Sequence, residues 1–385
     1  MELTDKVILV ISSEEWGKIF ISKHHYAATL AQLGNTVYFL NPVSNKLKIG
    51  EIQIKISSIN KNLSVITYRP FFPWLIKFHA KWLFNILIKF QLRKISQKIK
   101  TRIDIVWDFN CSFLYHNLSV LKAGINIFHP VDKISLDAVN KKADIVFSVS
   151  SLILKDYKVP NIPKFLINHG VSKRFEEVAC CPPIINIYDN RKIKACYIGN
   201  LLIPSLNRDL VEQVITGNPG IEFSFIGPYS TKQNNIYSDF NTEDQKFIHA
   251  LKSKSNVKLQ GILSTDEIVS QINKFDLFFI CYKNSKHYRC DNSHKVLEYL
   301  STGKVVVSTP ISFYQNSDLL QMSKGEDDFN ILFSEVISNL KFFNSEEMMN
   351  KRKAFAKSNT YEKHIKKIET LINNYVLNQQ MESNP

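Results

Sequence analysis

Several signatures that would settle the chemistry at once are missing. The first apolar run is followed by ISSEEWG, with a single glycine, so a dehydrogenase-type G-x-G-x-x-G site is unsupported. No G-x-x-x-x-G-K-[ST] and no G-x-S-x-G occurs anywhere. No Asp-x-Asp pair of the kind that holds a divalent ion against a sugar nucleotide is present, so neither a metal nor a resident cofactor is expected. Cys111, Cys180, Cys181, Cys196, Cys281 and Cys290 show no C-x-x-C or Cys/His ligand spacing. They read as free thiols of a reducing compartment. No apolar run approaches the roughly 18 residues that span a bilayer, and MELTDKVILVISS has no basic leader, so neither a spanning helix nor a secretory signal is expected. The expected location is cytoplasmic, with the inner face of the plasma membrane as a peripheral alternative.

Acid is also missing, in one place. Residues 52 to 103 hold eleven Lys or Arg and no Asp or Glu, and so carry most of the formal net charge of +14. The remainder is close to neutral. A uniformly basic chain would suggest nonspecific nucleic-acid affinity, whereas a local block suggests one surface facing an anionic partner; nucleic acid is not expected.

What is present is alternation. At 385 residues the chain exceeds what one core usually serves, and 44% hydrophobic with 22% charged residues is globular. Short β-branched or aromatic runs at 7–12, 36–40, 64–68, 103–108, 125–129, 144–150 and 164–168 are separated by helical patterns, the signature of βαβ units. SKRFEEVACCPPIINIYDNRK carries a Pro pair and no clean period, and reads as a linker. Strands then resume at 194–199, 221–227, 256–261, 276–282 and 304–309, with helices near 207–216, 243–253 and 265–273. The expected organisation is an N-terminal domain over 1–172, a linker over 173–192 and a second domain over 193–360. A helix and tail over 361–385 are expected to pack back towards the first domain. Two such α/β halves define a cleft at the carboxyl ends of their strands, where ligands of open sheets bind.

Within the basic block, residues 74–99 place Lys77, Lys81, Asn85, Lys89, Arg93 and Gln97 at four-residue spacing, with aromatic and aliphatic residues covering the rest. A wide apolar face, interfacial Trp74 and Trp82 and a cationic edge of Lys77, Lys81, Lys89 and Arg93 fit a helix lying in an anionic membrane surface. An edge helix packed into the domain core with a wet outer stripe fits the same periodicity.

Residues 290–310, CDNSHKVLEYLSTGKVVVSTP, join a polar run, a short helix, a glycine stop and a Val-rich strand. The first turn of that helix holds Ser293, His294 and Lys295, where free N–H groups and the dipole favour an anion and Lys295 adds a full charge. Glu298, three residues on, is placed to accept from vicinal ribose hydroxyls. The plainer alternative is an N-cap at Asn292 or Ser293 and a solvated Lys295–Glu298 pair.

KVLEYLSTGKVVVSTP resembles the donor-site segment of GT-B glycosyltransferases of the large retaining family 4. WGKIFISKHHYAATLAQLGNTVYFLNP resembles the first βαβ unit of bacterial cell-surface polysaccharide glycosyltransferases of the teichuronic acid type. INHGVSKRF resembles the motif that ends their N-terminal domain, and YIGN, FIGP and NVKLQGILSTDEIVSQINKFDLFFICY match, in order, their nucleotide-binding domain. The resemblance implies an α/β fold of two Rossmann-like parallel-sheet domains facing across a cleft, the one over 1–172 binding the acceptor and the one over 193–360 the nucleotide sugar. It implies a donor site at Gly199, Asn200, Arg208, Gly227, Ser293, His294, Lys295 and Glu298, with Arg208 and Lys295 neutralising the diphosphate. Glu298 matches the second glutamate of the family's Glu-x7-Glu motif; Cys290 stands where the first belongs, beside Asp291. In the N-terminal half, IFHPVDK places His129 and Asp132 as catalytic candidates beside the reacting sugar. A satisfied strand-end histidine and a helix-capping aspartate remain the alternatives. His24 and His25 are candidates to touch an acceptor or to lie on a wet helix face.

The function implied is metal-independent, retaining transfer of a sugar from a nucleotide-diphosphate donor to a cell-surface saccharide or lipid-linked acceptor. Two rivals stand beside it: a sugar-nucleotide epimerase of the same fold, and a noncatalytic membrane-surface binding protein.

Overall fold

The structure, a computed structural model, describes residues 2–17, 20–44, 53–73, 75–111, 117–132, 142–185, 191–230, 242–284 and 290–383. The first half runs β1 (Val7–Ile11), α1 (Ser22–Gln32), β2 (Thr36–Leu40), β3 (Gln53–Asn60), β4 (Leu63–Arg69), α2 (Ile76–His79), α3 (Lys81–Ile99), β5 (Ile105–Asp108), β6 (Ile125–Phe128), β7 (Ile145–Ser148), α4 (Ser151–Asp156) and β8 (Lys164–Leu166). The second runs α5 (Lys173–Cys180), β9 (Lys194–Ile198), α6 (Arg208–Gly217), β10 (Glu222–Ile226), α7 (Thr242–Ser253), β11 (Val257–Gly261), α8 (Thr265–Ile272), β12 (Leu277–Ile280), α9 (His294–Thr302), β13 (Val305–Ser308), β14 (Gln321–Met322), α10 (Phe329–Ser338), α11 (Leu340–Phe343), α12 (Glu346–Ser358) and α13 (Tyr361–Ser383). The chain forms two compact units, residues 1–168 with 361–385, and residues 169–360.

In the first unit an eight-stranded sheet has the order β3-β4-β2-β1-β5-β6-β7-β8, parallel except for β3 against β4. β1, β5, β6 and β7 are buried almost throughout, as strands covered on both faces must be. α13 closes one face: Tyr361, Ile365, Ile368 and Ile372 are buried in the same core as Ile8, Val10 and Trp107. α3 belongs to the other face, where Phe84, Ile88, Leu92, Ile95 and Ile99 pack with Leu9, Ile11 and Val106.

The second unit is a six-stranded parallel sheet, β11-β10-β9-β12-β13-β14. Its order reverses between β9 and β12, and there the ladder is short: only Ala195 and Cys196 pair, with Leu277 and Phe278. Beyond them the strands part. The backbone N–H and C=O of Ile198, left without a strand partner on that side, are both met by the Tyr299 hydroxyl of α9, at 2.7 and 3.2 Å. Burial makes that bond necessary, since an orphaned backbone pair inside a core costs about 1–3 kcal/mol per group. A crevice at the carboxyl ends of the strands is the result.

Four elements depart from expectation. The helix expected over 74–99 is two pieces, α2 and α3, broken at Ala80, whose φ of −141° and ψ of 72° are not helical; Trp74 lies outside the described residues. The segment expected as a linker begins with α5, which buries Phe175, Val178 and Ala179 in the second unit. Farther along it, Arg191 forms a bidentate pair with buried Asp276 at 2.6 and 2.8 Å. β3, a half-exposed antiparallel edge, and β14, two residues long, were not expected as strands.

Candidate functional site

The crevice of the second unit gathers the sequence-expected residues. β9 ends at Gly199 and β10 at Gly227, and the two turns abut: a Cβ on Gly227 would strike the Gly199 carbonyl, and one on Gly199 would strike the Lys295 ammonium. Glycine is needed here for close approach, not merely for a turn. Asn200 turns inward on its own loop, its Oδ1 accepting from the Leu202 N–H at 2.8 Å.

Ser293 is the N-cap residue of α9, but its hydroxyl makes no capping bond; the Val296 N–H meets the Ser293 carbonyl at 3.1 Å, while the His294 and Lys295 amides have no intrahelical acceptor. Lys295 is only 7% exposed. Its Nζ donates to the Tyr197 hydroxyl at 3.2 Å and lies 4.4 Å from the Tyr197 ring centre and 5.3 Å from that of Tyr282. Among the described residues no carboxylate lies within ion-pair distance of it. Desolvation works to lower its pKa, and the two tyrosines hold it above the ordinary lysine value. The ring faces of both tyrosines and the Tyr197 hydroxyl stabilise the ammonium.

His294 meets His169 edge-on at 6.0 Å. Its pKa is lowered to about 4 by burial and by Lys295, so the imidazole is neutral and one ring nitrogen remains a donor. Glu298 is half-buried, and neither carboxylate oxygen has a hydrogen-bond partner among the described residues. Burial raises its pKa to about 7, with Lys295 opposing. Cys290 is partly buried, its thiol pushed up to about 12 by desolvation, and so is neither an anion nor a strong hydroxyl acceptor.

Arg208 is not the open cation expected. Its guanidinium is ion-paired with buried Asp244 of α7 and lies 5.9 Å from the Phe247 ring centre, so its charge is already met within the unit. Nothing near Arg208 in the chain signals Asp244. The tyrosine walls were likewise missed, although Tyr197 sits in KACYIG and Tyr282 in DLFFICY, both expected strands entering the crevice.

In the first unit His129 is fully buried among Tyr26, Trp107 and Phe109. Trp107 Nε1 donates to its Nδ1 at 3.2 Å, which puts the imidazole proton on Nε2, an atom without a partner. Desolvation, with His364, lowers its pKa to about 3. It is therefore a neutral core histidine with no open path to a ligand. Asp132 is exposed at the carboxyl edge of the sheet; the helix expected after it lies outside the described residues. Lys23, 1% exposed, is paired with Glu14 and donates to Ser13 Oγ at 2.7 Å. His24 is buried and bonded to the Glu15 carbonyl at 3.0 Å, and His25 stacks on Tyr361, so neither is a wet helix residue.

No family model and no curated protein sequence matches the chain. Solved structures do. A sucrose-phosphate synthase of Thermosynechococcus elongatus aligns over 97% of this chain and 99% of its own, with a TM-score of 0.67 at 10% identity. The lipopolysaccharide outer core galactosyltransferase WaaB aligns over 97% and 99%, with a TM-score of 0.62 at 15% identity. The Anabaena protein HepE, solved with UDP and glucose, aligns over 95% and 99%, with a TM-score of 0.62 at 12% identity. The fold is the two-domain α/β fold of the GT-B glycosyltransferases. At such identities it is the fold that is shared; the chemistry has to be argued from the residues.

Proposed function

We propose that the chain is a glycosyltransferase that takes a sugar from a nucleotide-diphosphate donor and passes it to a growing saccharide, free or lipid-linked, at the cell surface. The observation that carries this is Lys295: a buried ammonium at the first turn of a helix, walled by two tyrosines, with no carboxylate within ion-pair distance among the described residues. A diphosphate is the anion whose size and charge suit that place. Glu298, on the next turn, has both oxygens open to vicinal hydroxyls of a ribose. Among the structural neighbours, HepE was solved with UDP, with UDP-glucose, and with UDP and glucose, and a trehalose-phosphate synthase of Burkholderia xenovorans with glucose-6-phosphate.

The mechanism follows from charge. As the bond between the anomeric carbon and the β-phosphate oxygen breaks, its electron pair stays on that oxygen. Lys295 and the first-turn N–H groups of α9 are already in place to meet the charge, in the role a divalent cation plays elsewhere. His294, neutral, adds a hydrogen-bond donor without competing for the proton balance. The acceptor hydroxyl oxygen forms the new glycosidic bond, and its proton leaves to the departing phosphate. Because the departing phosphate takes the acceptor's proton, the acceptor attacks on the face that the phosphate leaves, and the anomeric configuration is retained. Asp132, exposed at the carboxyl edge of the first sheet, is a candidate to meet an acceptor, whereas the buried His129 is not.

The test is a panel of nucleotide sugars incubated with the protein, with and without a membrane extract. Transfer predicts donor turnover only with the extract, and its loss in Lys295→Met. Turnover or isomerisation without acceptor would indicate the epimerase, and no nucleotide binding at all would overturn both enzyme readings.

A further inference from the structure

The first unit carries a surface that its own core does not explain. α3 buries Phe84, Ile88, Leu92, Ile95 and Ile99, and a helix serving only that core would turn polar residues outward. Instead Leu75, Phe78, Trp82, Ile86 and Phe90 stand 65%, 65%, 68%, 56% and 43% exposed. On α3 the four-residue steps of Trp82, Ile86 and Phe90 line them up as one ridge opposite the buried side, and Leu75 and Phe78 extend the exposed apolar surface on the segment before the break at Ala80. Lys77, Lys81, Lys89 and Arg93 lie among them. Lys77 Nζ is 5.4 Å from the Phe78 ring centre and Lys94 Nζ 5.2 Å from that of Phe90. Long cationic side chains laid along apolar rings, with their charges outermost, are arranged for a medium apolar inside and anionic at its surface.

We propose that this ridge docks the protein on the anionic face of a lipid bilayer, with Phe78, Trp82, Ile86 and Phe90 entering the interface and the Lys and Arg side chains meeting headgroup phosphates. Charge decides among occupants. Residues 52 to 103 hold eleven cations and no acid, so a second copy would bring like charge against like charge. A protein partner would have to match an apolar ridge and a one-sign field together, whereas an anionic bilayer supplies both everywhere on its surface. No described helix is long and apolar enough to cross the membrane, so the contact lies in its plane. α3, with its 19 residues, would extend about 28 Å along it. The inference rests on the first unit alone and stands or falls independently of the donor site.

The experiment is co-sedimentation of the full chain with phosphatidylcholine vesicles, with and without phosphatidylglycerol, over a salt series. The expected result is binding to the anionic vesicles only, weakening as salt rises. Replacing Lys77, Lys81, Lys89 and Arg93 together with Gln should lower affinity by at least about tenfold. Replacing Phe78, Trp82 and Phe90 with Ser should also lower it, while leaving the dependence on phosphatidylglycerol. Circular dichroism melting verifies that each variant is folded, whether or not nucleotide binds. Absence of binding by the native chain, equal binding to neutral and anionic vesicles, or a dimer in sedimentation velocity that Trp82→Ser dissolves would each overturn the proposal.

Discussion

Lys295 concentrates the electrostatics of the second unit. The two tyrosines hold the buried ammonium in its charged form, and among the described residues no carboxylate is left unpaired when it is removed. Lys295→Met, of similar length and apolar, should therefore weaken nucleotide binding while leaving the empty protein about as stable. Calorimetry should show affinity lowered by about 10- to 100-fold, from the roughly 1.5–3 kcal/mol of a hydrogen bond to a charged group. Unchanged affinity together with a large loss in denaturant stability would make Lys295 a structural residue. Glu298 gives the matching pH test. Its folded pKa of about 7 lies above the ordinary 4.5, so between those values the folded chain binds more protons than the unfolded one. Stability from this group is therefore full below about pH 4.5 and lost as pH rises through about 7. Glu298→Gln removes that slope. Ribose hydroxyls donate best to the ionised carboxylate, so nucleotide affinity of the native chain should rise with pH through about 7 by more than that of Glu298→Gln. The comparison cancels the ionisation of the phosphates themselves, and parallel profiles would take Glu298 out of the site.

α9 shows how an element aims those residues, and how much of the aim is written locally. It stops at Gly303, whose φ of 81° is costly for any residue with a side chain, and a Cβ there would meet Met349 Cβ at 2.9 Å and the Met349 carbonyl oxygen at 3.0 Å on α12. Gly303→Ala should cost about 2–4 kcal/mol, from left-handed backbone plus overpacking, and lower the melting temperature by several degrees. A loss within a few tenths would mean that α12 yields easily. The glycine stop, the Val-rich strand after it and the three-residue spacing from Lys295 to Glu298 are all legible in CDNSHKVLEYLSTGKVVVSTP, because helix ends and buried parallel strands impose local residue types. The alternating α/β halves were legible for the same reason. What surrounds α9 was not. Tyr197, the acceptor of the Lys295 proton, is 98 residues away, and the Asp244 that engages Arg208 belongs to another helix. β3 escaped because its Gln, Lys, Ser and Asn residues suit an exposed edge and carry no apolar run. α5 escaped because eight residues beside a Pro pair give too few turns for a period. His129 misled because a strand-end histidine looks alike in sequence whether it faces ligand or, as here, tryptophan and tyrosine.

At the scale of the whole chain, one unit is continuous and the other is not. Residues 169–360 begin and end beside each other: the Val171 N–H donates to the Asn359 carbonyl at 2.8 Å, and Val171 bridges Thr360. The first unit is completed only by α13, whose Tyr361, Ile365, Ile368 and Ile372 are 4%, 1%, 0% and 0% exposed, and whose Glu369 accepts the Leu3 N–H at 2.7 Å. Removing α13 forfeits roughly 1.5–3 kcal/mol for each large apolar side chain, about 6–12 kcal/mol in all, as much as a domain's entire stability. The two units should then part company when cut. Residues 169–360 alone should melt cooperatively and bind nucleotide as the full chain does, since Lys295, Glu298, Tyr197 and Tyr282 all lie within them. Residues 1–168 alone should aggregate or lack a cooperative melt, and should recover one when residues 361–383 are joined to them through a flexible linker, as circular dichroism and size-exclusion chromatography would show. A cooperative melt of 1–168 matching that of the joined form would mean that α13 only decorates a core already complete; failure of 169–360 to fold would mean that the Val171–Thr360 closure needs the first unit to hold it.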